Sequence, residues 1–394
     1  MKLLWVKSDF LHPTDRGAQI RTLEMLKRLN RRNTVHYIAL RSPGETEGPA
    51  RAPEYSSHSY AVDHFVPDKT SARFAGQLLR GLFDPLPVAV SRFRSAAMRS
   101  QLEALTAREK FDAIVCDFLF PAANMPDLST VTLFQHNVEA LIWRRRVEHA
   151  TGPLQRWYLK TQARRMEKFE GDVCRAVRSI VAVSEQDAEI MRRDYGARRV
   201  SAVPTGVDID YFARPPHPER NADLVFVGSM DWMPNVDGAT WFVREILPLI
   251  RKQAPNCTIA IAGRRPTAEL TSLASRDSRI IVTGTVADIR PWLWGSAVSI
   301  VPLRIGGGTR IKIYEAMAAG TPVVSTTVGA EGLDVTHSET ILLADKPADF
   351  ANACIALLRD SAEAARIASA AWDRVSSRYS WDAVTAAFEG MLTA

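Results

Sequence analysis

Short apolar runs alternate with stretches of helical spacing along this chain, the pattern of parallel α/β sheets. In the first half the apolar runs predict strands over 2–6, 35–39, 113–116, 131–134 and 179–183, with a short one over 200–203. Helical spacing falls over 20–29, 96–108 and 157–177. The second half predicts strands over 224–227, 258–262, 280–283, 298–301, 322–325 and 341–343. Helices are expected there over 236–251, 266–274, 289–293, 310–319 and 348–358. Two separate βα series imply two doubly wound domains facing each other. Residues 204–221, rich in Pro, Gly and Asp, read as the linker. The expected division is therefore an acceptor-side domain over 1–215, a donor domain over 216–375 and a helix over 376–394 crossing back. Trp381 and Phe388 are the residues expected to pack that helix onto the first domain.

One stretch, PLRIGGGTRIKIYEAMAAGTPVVST (302–326), breaks the pattern with three glycines between a strand and a helix. Gly306, Gly307 and Gly308 reach backbone angles closed to other residues, Thr309 reads as an N-cap, and Gly320 as the stop. A helix N-terminus offers free N–H groups and partial positive charge, a natural phosphate site, and Arg310 and Lys312 add cations close to it. Glu315 lies six residues past Thr309, about 9 Å along the axis, roughly one sugar from a phosphate at the tip. A carboxylate among Ile311, Ile313, Tyr314 and Met317 needs donors, and a ribose supplies two hydroxyls side by side. The alternative is an ordinary ion pair of Glu315 with Lys312 or Arg304 on a solvated face.

Composition adds limits. The 394 residues, 46% hydrophobic and 24% charged, suit a globular chain of two domains. No apolar run reaches 18 residues, and MKLLWVKSDF reads as a first buried strand rather than a signal peptide. Cys116, Cys174, Cys257 and Cys354 are scattered, as expected of reduced core thiols in a cytoplasmic protein. Charge is uneven: residues 1–215 carry 33 Lys and Arg against 25 Asp and Glu, the remainder 17 against 19. A basic first half favours an anionic partner, either a phosphate-bearing substrate or an anionic membrane surface reached peripherally. The segment 71–99, where Phe and Leu interleave with five arginines, and 144–178, with ten basic residues against four acidic ones, are the candidates for such contact, the alternative for each being a solvated, amphipathic surface of the first domain. No nucleic-acid recognition signature is present. After the first strand, KSDFLHPTDRGAQIR contains no GxGxxG, and no P-loop pattern occurs, so a nicotinamide fold of the usual kind is excluded.

In the second half VFVGSMDWMPNVDGATWF (225–242), IAGRRP (261–266), VTGTVADIRPWL (282–293), the glycine-rich stretch and GAEGL (329–333) occur in order. In the first half FQHNVEA (134–140), VAVSEQDAE (181–189), VPTGVDIDYF (203–212) and the Gly17 loop join them. Together they resemble the retaining nucleotide-sugar glycosyltransferases of family 4, with the GT-B fold of two facing Rossmann-like domains. The resemblance implies that Gly306 to Thr309 cradle a diphosphate, that Glu315 binds the ribose, and that Arg310 and Lys312 stabilise the leaving group. It places Gly228 and Ser229 close to the ligand, Gly284 and Val286 at the nucleobase, His136 against the donor sugar, and Gly17 near the diphosphate from the acceptor side. Asn137 and Glu139 are weaker candidates. The family often has two glutamates separated by seven residues; here the first falls on Gly307, so backbone amides replace its contact. Its usual basic pair after the first donor-domain strand is missing too, which makes Arg264 and Arg265 candidates for that charge. Asp208-Ile209-Asp210 matches a DxD metal motif but sits in the interdomain segment, so neither a metal nor a resident cofactor is expected. The expected reaction moves a sugar from a nucleotide diphosphate to a saccharide, lipid-linked or small-molecule acceptor, as in polysaccharide biosynthesis. A nucleotide-sugar epimerase or hydrolase on the same fold, or a catalytically silent assembly partner, are the alternatives.

Overall fold

The computed structural model describes residues 1–14, 17–66, 81, 84–148, 150–305 and 310–393. The chain divides into two units, one of residues 1–204 with 384–394 and one of 205–383.

Among the described residues the first unit holds a seven-stranded parallel sheet in the order β3-β2-β1-β4-β5-β6-β7. Its strands are β1 (Lys2–Lys7), β2 (Thr34–Arg41), β3 (His58–Asp63), β4 (Ala113–Asp117), β5 (Val131–Gln135), β6 (Ser179–Ala182) and β7 (Val200–Ala202). Central strands are covered on both faces, so they read as unbroken apolar runs: Leu3 to Val6 are fully buried. The helix Gly17–Leu29 follows β1, and the 24-residue helix Pro153–Ala176 follows β5 after Glu139–Glu148. Leu4, Val6, Leu133, Met166 and Met191 share one core.

The second unit carries a six-stranded parallel sheet in the order β10-β9-β8-β11-β12-β13. Its strands are β8 (Ala222–Val227), β9 (Ile259–Ala262), β10 (Ile280–Gly284), β11 (Ser296–Val301), β12 (Val323–Ser325) and β13 (Leu342–Leu343). Phe226, Ile261, Ile300, Met317 and Phe350 lie in its core. The helix expected over 236–251 begins at Met233 and passes through a wider π turn at Phe242–Ile246 before resuming at Leu247. Pro248 explains the change of register, since it has no N–H to give the preceding turn.

Two boundaries differ from expectation. The division falls after Pro204, not 215, because the intervening segment is tied to the second unit. Val207 exchanges backbone hydrogen bonds with Tyr379 and Trp381, Phe212 is buried in the core, and Trp294 Nε1 donates to the Phe212 carbonyl at 2.8 Å. The second unit also continues to Ala383 rather than 375. The last helix, Trp381–Thr393, begins in one unit and ends in the other. Phe388 packs on Trp5 and Phe134 of the first unit, with ring centroids at 5.7 and 4.9 Å. Trp381 does not; it covers Gly206 in the second unit so closely that a Cβ there would lie 2.4 Å from the indole. The four cysteines are free and buried.

Candidate functional site

In the second sheet the strand order reverses at the neighbours β8 and β11, and open α/β sheets bind ligands beyond the carboxyl ends of such a pair. β8 runs into Gly228-Ser229-Met230-Asp231. β11 leads through Pro302 and Leu303 toward the helix Ile311–Ala318. Gly306, Gly307, Gly308 and Thr309 lie outside the described residues. Arg310 occupies the N-cap position, so the helix starts one residue later than expected.

That helix buries Ile313, Tyr314, Ala316 and Met317 and keeps Lys312 and Glu315 on its half-buried face. Lys312 reaches back to β8: its Nζ donates to Asn235 Oδ1 at 2.7 Å and stands 4.7 Å from the Phe226 ring centroid. A Cβ on Gly228 would lie 2.9 Å from that Nζ, so the glycine leaves room for the lysine to close on the loop. Burial pulls the Lys312 ammonium down to about 8, with Glu315 opposing and Arg310 assisting. Burial likewise raises the Glu315 carboxyl above its ordinary range, with Lys312 opposing. No described side chain donates a hydrogen bond to Glu315. Arg304 is instead engaged by Asp237 at 2.6 and 3.0 Å, which removes that alternative partner.

The other predicted contacts are placed as follows. The Arg310 guanidinium is buried and donates to the Val328 carbonyl at 3.1 Å, with Glu331 at 3.4 Å. Arg264 and Arg265 are exposed and gather on the Gly228 loop: Arg264 Nε donates to Ser229 Oγ at 2.8 Å, and Arg265 Nη1 pairs with Asp231 at 3.1 Å. Gly284 ends β10 with φ at 67°, and Val286 is half-buried just beyond it. Asp208 has a structural task, accepting from the Tyr211 N–H at 2.9 Å as a helix cap. Among the described residues no group of three or more His, Cys, Asp or Glu is arranged to hold a metal.

The first sheet reverses its order at β1 and β4, and there a buried polar cluster closes three strand ends. Asp117, fully buried at the end of β4, accepts from Trp5 Nε1 at 2.9 Å, Thr22 Oγ1 at 2.7 Å and His136 Nε2 at 2.7 Å. Lys7 Nζ stands 3.0 Å from the same carboxylate, which is held well below the usual carboxylate range despite its burial. An ionised Asp117 can only accept, so His136 carries its proton on Nε2 and turns Nδ1 toward Arg21 Nη1 at 3.4 Å. Burial lowers His136 to about 4, outweighing Asp117, and leaves the ring neutral. Gly17 begins the helix that supplies Arg21 and Thr22. Glu139 is buried beyond β5, where burial and Glu170 raise it to about 7. Asn137 is exposed.

Each half also matches a family profile. One described as Glycosyltransferase Family 4 matches residues 16–211, and one described as Glycosyl transferases group 1 matches residues 221–360. The chain is a GT-B glycosyltransferase of the family 4 kind. It is 20% identical over 389 residues to an uncharacterized 44.6 kDa protein in the cps region of Klebsiella pneumoniae, covering 96% of both chains. It is 29% identical over 243 residues to a D-inositol 3-phosphate glycosyltransferase of Xylanimonas cellulosilytica, a match spanning 55% of this chain and 57% of that one. The crystal structure of Anabaena HepE in complex with UDP has the same fold, with a TM-score of 0.63 at 16% identity over the whole of both chains. For this glycosyltransferase, sequence reasoning missed Lys7, Arg21, Asp117 and Asn235. Asp117 had a readable signal: a carboxylate closing the apolar strand AIVCD must find donors where the sheet ends.

Proposed function

We propose that this glycosyltransferase moves a sugar from a nucleotide diphosphate-sugar to a saccharide or lipid-linked acceptor, with retention at the anomeric carbon and without a metal. The observation that carries the reading is the meeting of the Lys312 ammonium with the Gly228 backbone at the β8–β11 reversal, with Glu315 on the same helix face. A diphosphate at the head of the helix finds cationic charge in Lys312 and Arg310, and a ribose one turn on gives Glu315 the donors it lacks. The cation stabilises charge as it develops on the leaving diphosphate. On the face it leaves, a phosphate oxygen takes the acceptor's hydroxyl proton while the acceptor oxygen bonds the anomeric carbon. No separate base is then needed. The UDP bound by HepE supports the donor chemistry, and the inositol phosphate in the name of the other relative supports an acceptor that offers a hydroxyl.

Turnover of UDP- and GDP-sugars in the presence of a chelator tests the proposal. Transfer should need an acceptor and be undiminished by chelation. Restoration of a lost activity by manganese or magnesium would defeat the metal-free route, and acceptor-independent hydrolysis would favour the hydrolase.

The proposed setting is the cytoplasmic side of a membrane, touched peripherally by the first unit. No helix among the described residues is long and apolar enough to cross a bilayer. Leu154 and Trp157 are 76% and 56% exposed one turn apart, on a helix that also carries exposed Arg156, Lys160 and Arg164 and follows one with exposed Arg145 and Arg146, whereas Arg144 is paired with Glu167. Apolar side chains set among cations suit an anionic bilayer surface. The other candidate segment, 71–99, lies partly outside the described residues.

A further inference from the structure

Lysine is a poor tool for fixing a charge, because its ammonium rides on four flexible carbons. In this protein Lys312 is nevertheless held at one point, and the group that holds it is a neutral amide. Asn235, 6% exposed in the helix Met233–Trp241, accepts from Lys312 Nζ at 2.7 Å and donates from Nδ2 to the Ser229 carbonyl at 2.8 Å. An ammonium can only donate and a carbonyl can only accept, so both ends of the amide are assigned without ambiguity. The Asn235 backbone N–H is itself tied to the Trp232 carbonyl at 2.9 Å. A Cβ on Gly228 would meet Asn235 Nδ2 at 2.8 Å and Lys312 Nζ at 2.9 Å, so amide, ammonium and Gly228 backbone form one packed unit.

The charges around this unit leave the cation uncompensated at short range. Among the described residues no carboxylate lies within 4.0 Å of Lys312 Nζ. Glu315 acts on it from the same helix, and Arg310 repels it from the helix head. Asp231, in the loop after β8, is occupied by Ser229 Oγ, Arg265 and Arg264. From β8 the ammonium meets only the Phe226 ring.

We infer that Asn235 is a positioning residue, holding the Lys312 ammonium against Gly228 as the countercharge for a diphosphate. The inference rests on the donor-site reading above and deepens it. A segment after β8 that carries no cation of its own thereby acquires one from the helix beyond β11. A carboxylate in place of Asn235 would hold the lysine equally still but would compete with the phosphates for it. An apolar residue would leave it unanchored.

The test is calorimetric titration of the full chain with inorganic pyrophosphate and with UDP or GDP, between pH 6.5 and 9.5. Wild-type affinity should fall as pH rises through about 8, as the free ammonium loses its proton. Asn235→Leu should weaken pyrophosphate binding on the order of tenfold or more at pH 7.5 and move the fall to lower pH, since a hydrogen bond to the charged form is lost. In a Lys312→Met background the same substitution should cost nothing further. Asn235→Asp, which keeps the shape should the leucine variant not fold, should shift the fall to higher pH while also weakening binding. Unchanged affinity and pH profile in folded Asn235 variants, or additive losses in the double variant, overturn the inference and leave the donor site standing. Failure of the wild-type protein to bind any of these ligands overturns both.

Discussion

At the scale of single residues, buried titratable groups set two measurable behaviours. Glu315 sits on a half-buried face with no donor among the described side chains, and the ribose reading gives it two. Glu315→Gln should therefore weaken nucleoside diphosphate binding about 10- to 150-fold, the range of a charged hydrogen bond at about 1.5–3 kcal/mol. A 2′-deoxynucleotide should lose affinity for the native protein and much less for the variant, and simple addition of the two losses would show that Glu315 does not touch the ribose. His136 governs the second behaviour. Its folded value of about 4 lies below the value near 6.5 of an unfolded imidazole, so only the unfolded chain takes up a proton between them. The resulting stability is complete above about pH 6.5 and is lost as pH falls toward 4. Asp117, depressed in the fold, acts in the same sense at lower pH, below its unfolded value near 3.9. Between pH 7.5 and pH 5 the His136 share should weaken the first unit in urea unfolding by about 2 kcal/mol, while Glu139, raised to about 7, works in the opposite sense over the same range. Burial also lowers His12 and His36, so the decisive comparison is with His136→Gln. That variant should lose the acid-weakening share of His136, so that its stability at pH 5 relative to pH 7.5 rises by about 2 kcal/mol against the parent, and an unchanged difference would remove His136 from the account.

At the scale of elements, the last helix ties the end of the chain to its beginning. Phe388 is fully buried against Trp5 on β1 and Phe134 on β5, and Glu389 accepts from Asn33 Nδ2 at 2.7 Å. Phe388→Ala should cost the first unit about 3–5 kcal/mol, the usual range for emptying an aromatic site. Hydrogen exchange should rise in β1 and β5 and not in β8. A rise confined to the last helix would mean that it is an accessory cover. The aromatic residues at this helix were visible in the sequence as packing residues, but their partners were not: Trp381 turned to Gly206 because the close approach of that glycine's backbone leaves no periodic trace. The parallel strands were legible for the opposite reason, since burial on both faces makes runs such as Leu3 to Val6 wholly apolar. β3 escaped notice because it is an edge strand with only Val62 buried, and Glu139–Glu148 because only Glu139, Ala140 and Trp143 turn inward. In the candidate site, Glu315 and Lys312 were readable as local chemistry, while the Gly306–Gly308 stretch lies outside the described residues. The bond from Lys312 to Asn235 spans 77 positions, and nothing in either segment alone announces it.

At the scale of the whole molecule, charge and apolar exposure coincide in the first unit. It contains the basic excess of the chain, and Leu154 and Trp157 stand out of the helix Pro153–Ala176 on neighbouring turns. An acceptor carried on a lipid would be presented to an enzyme held at that surface. The prediction has two separable parts, because cations and apolar side chains respond differently to conditions. Binding to vesicles containing anionic lipid should be strong at low salt and fall as ionic strength shortens the Debye length from about 30 Å at 0.01 M to about 8 Å at 0.15 M. Arg156 and Lys160, each contributing about 1 kcal/mol near such a surface, should together lower vesicle affinity on the order of tenfold or more when changed to Gln. Leu154→Ser with Trp157→Ser should instead reduce the salt-resistant fraction of binding, since apolar insertion is not screened. Transfer to a small soluble acceptor should be the same in all of these variants. Equal, negligible binding of the parent protein to anionic and neutral vesicles would show that the basic face meets only water, and that the exposed tryptophan serves something other than a bilayer.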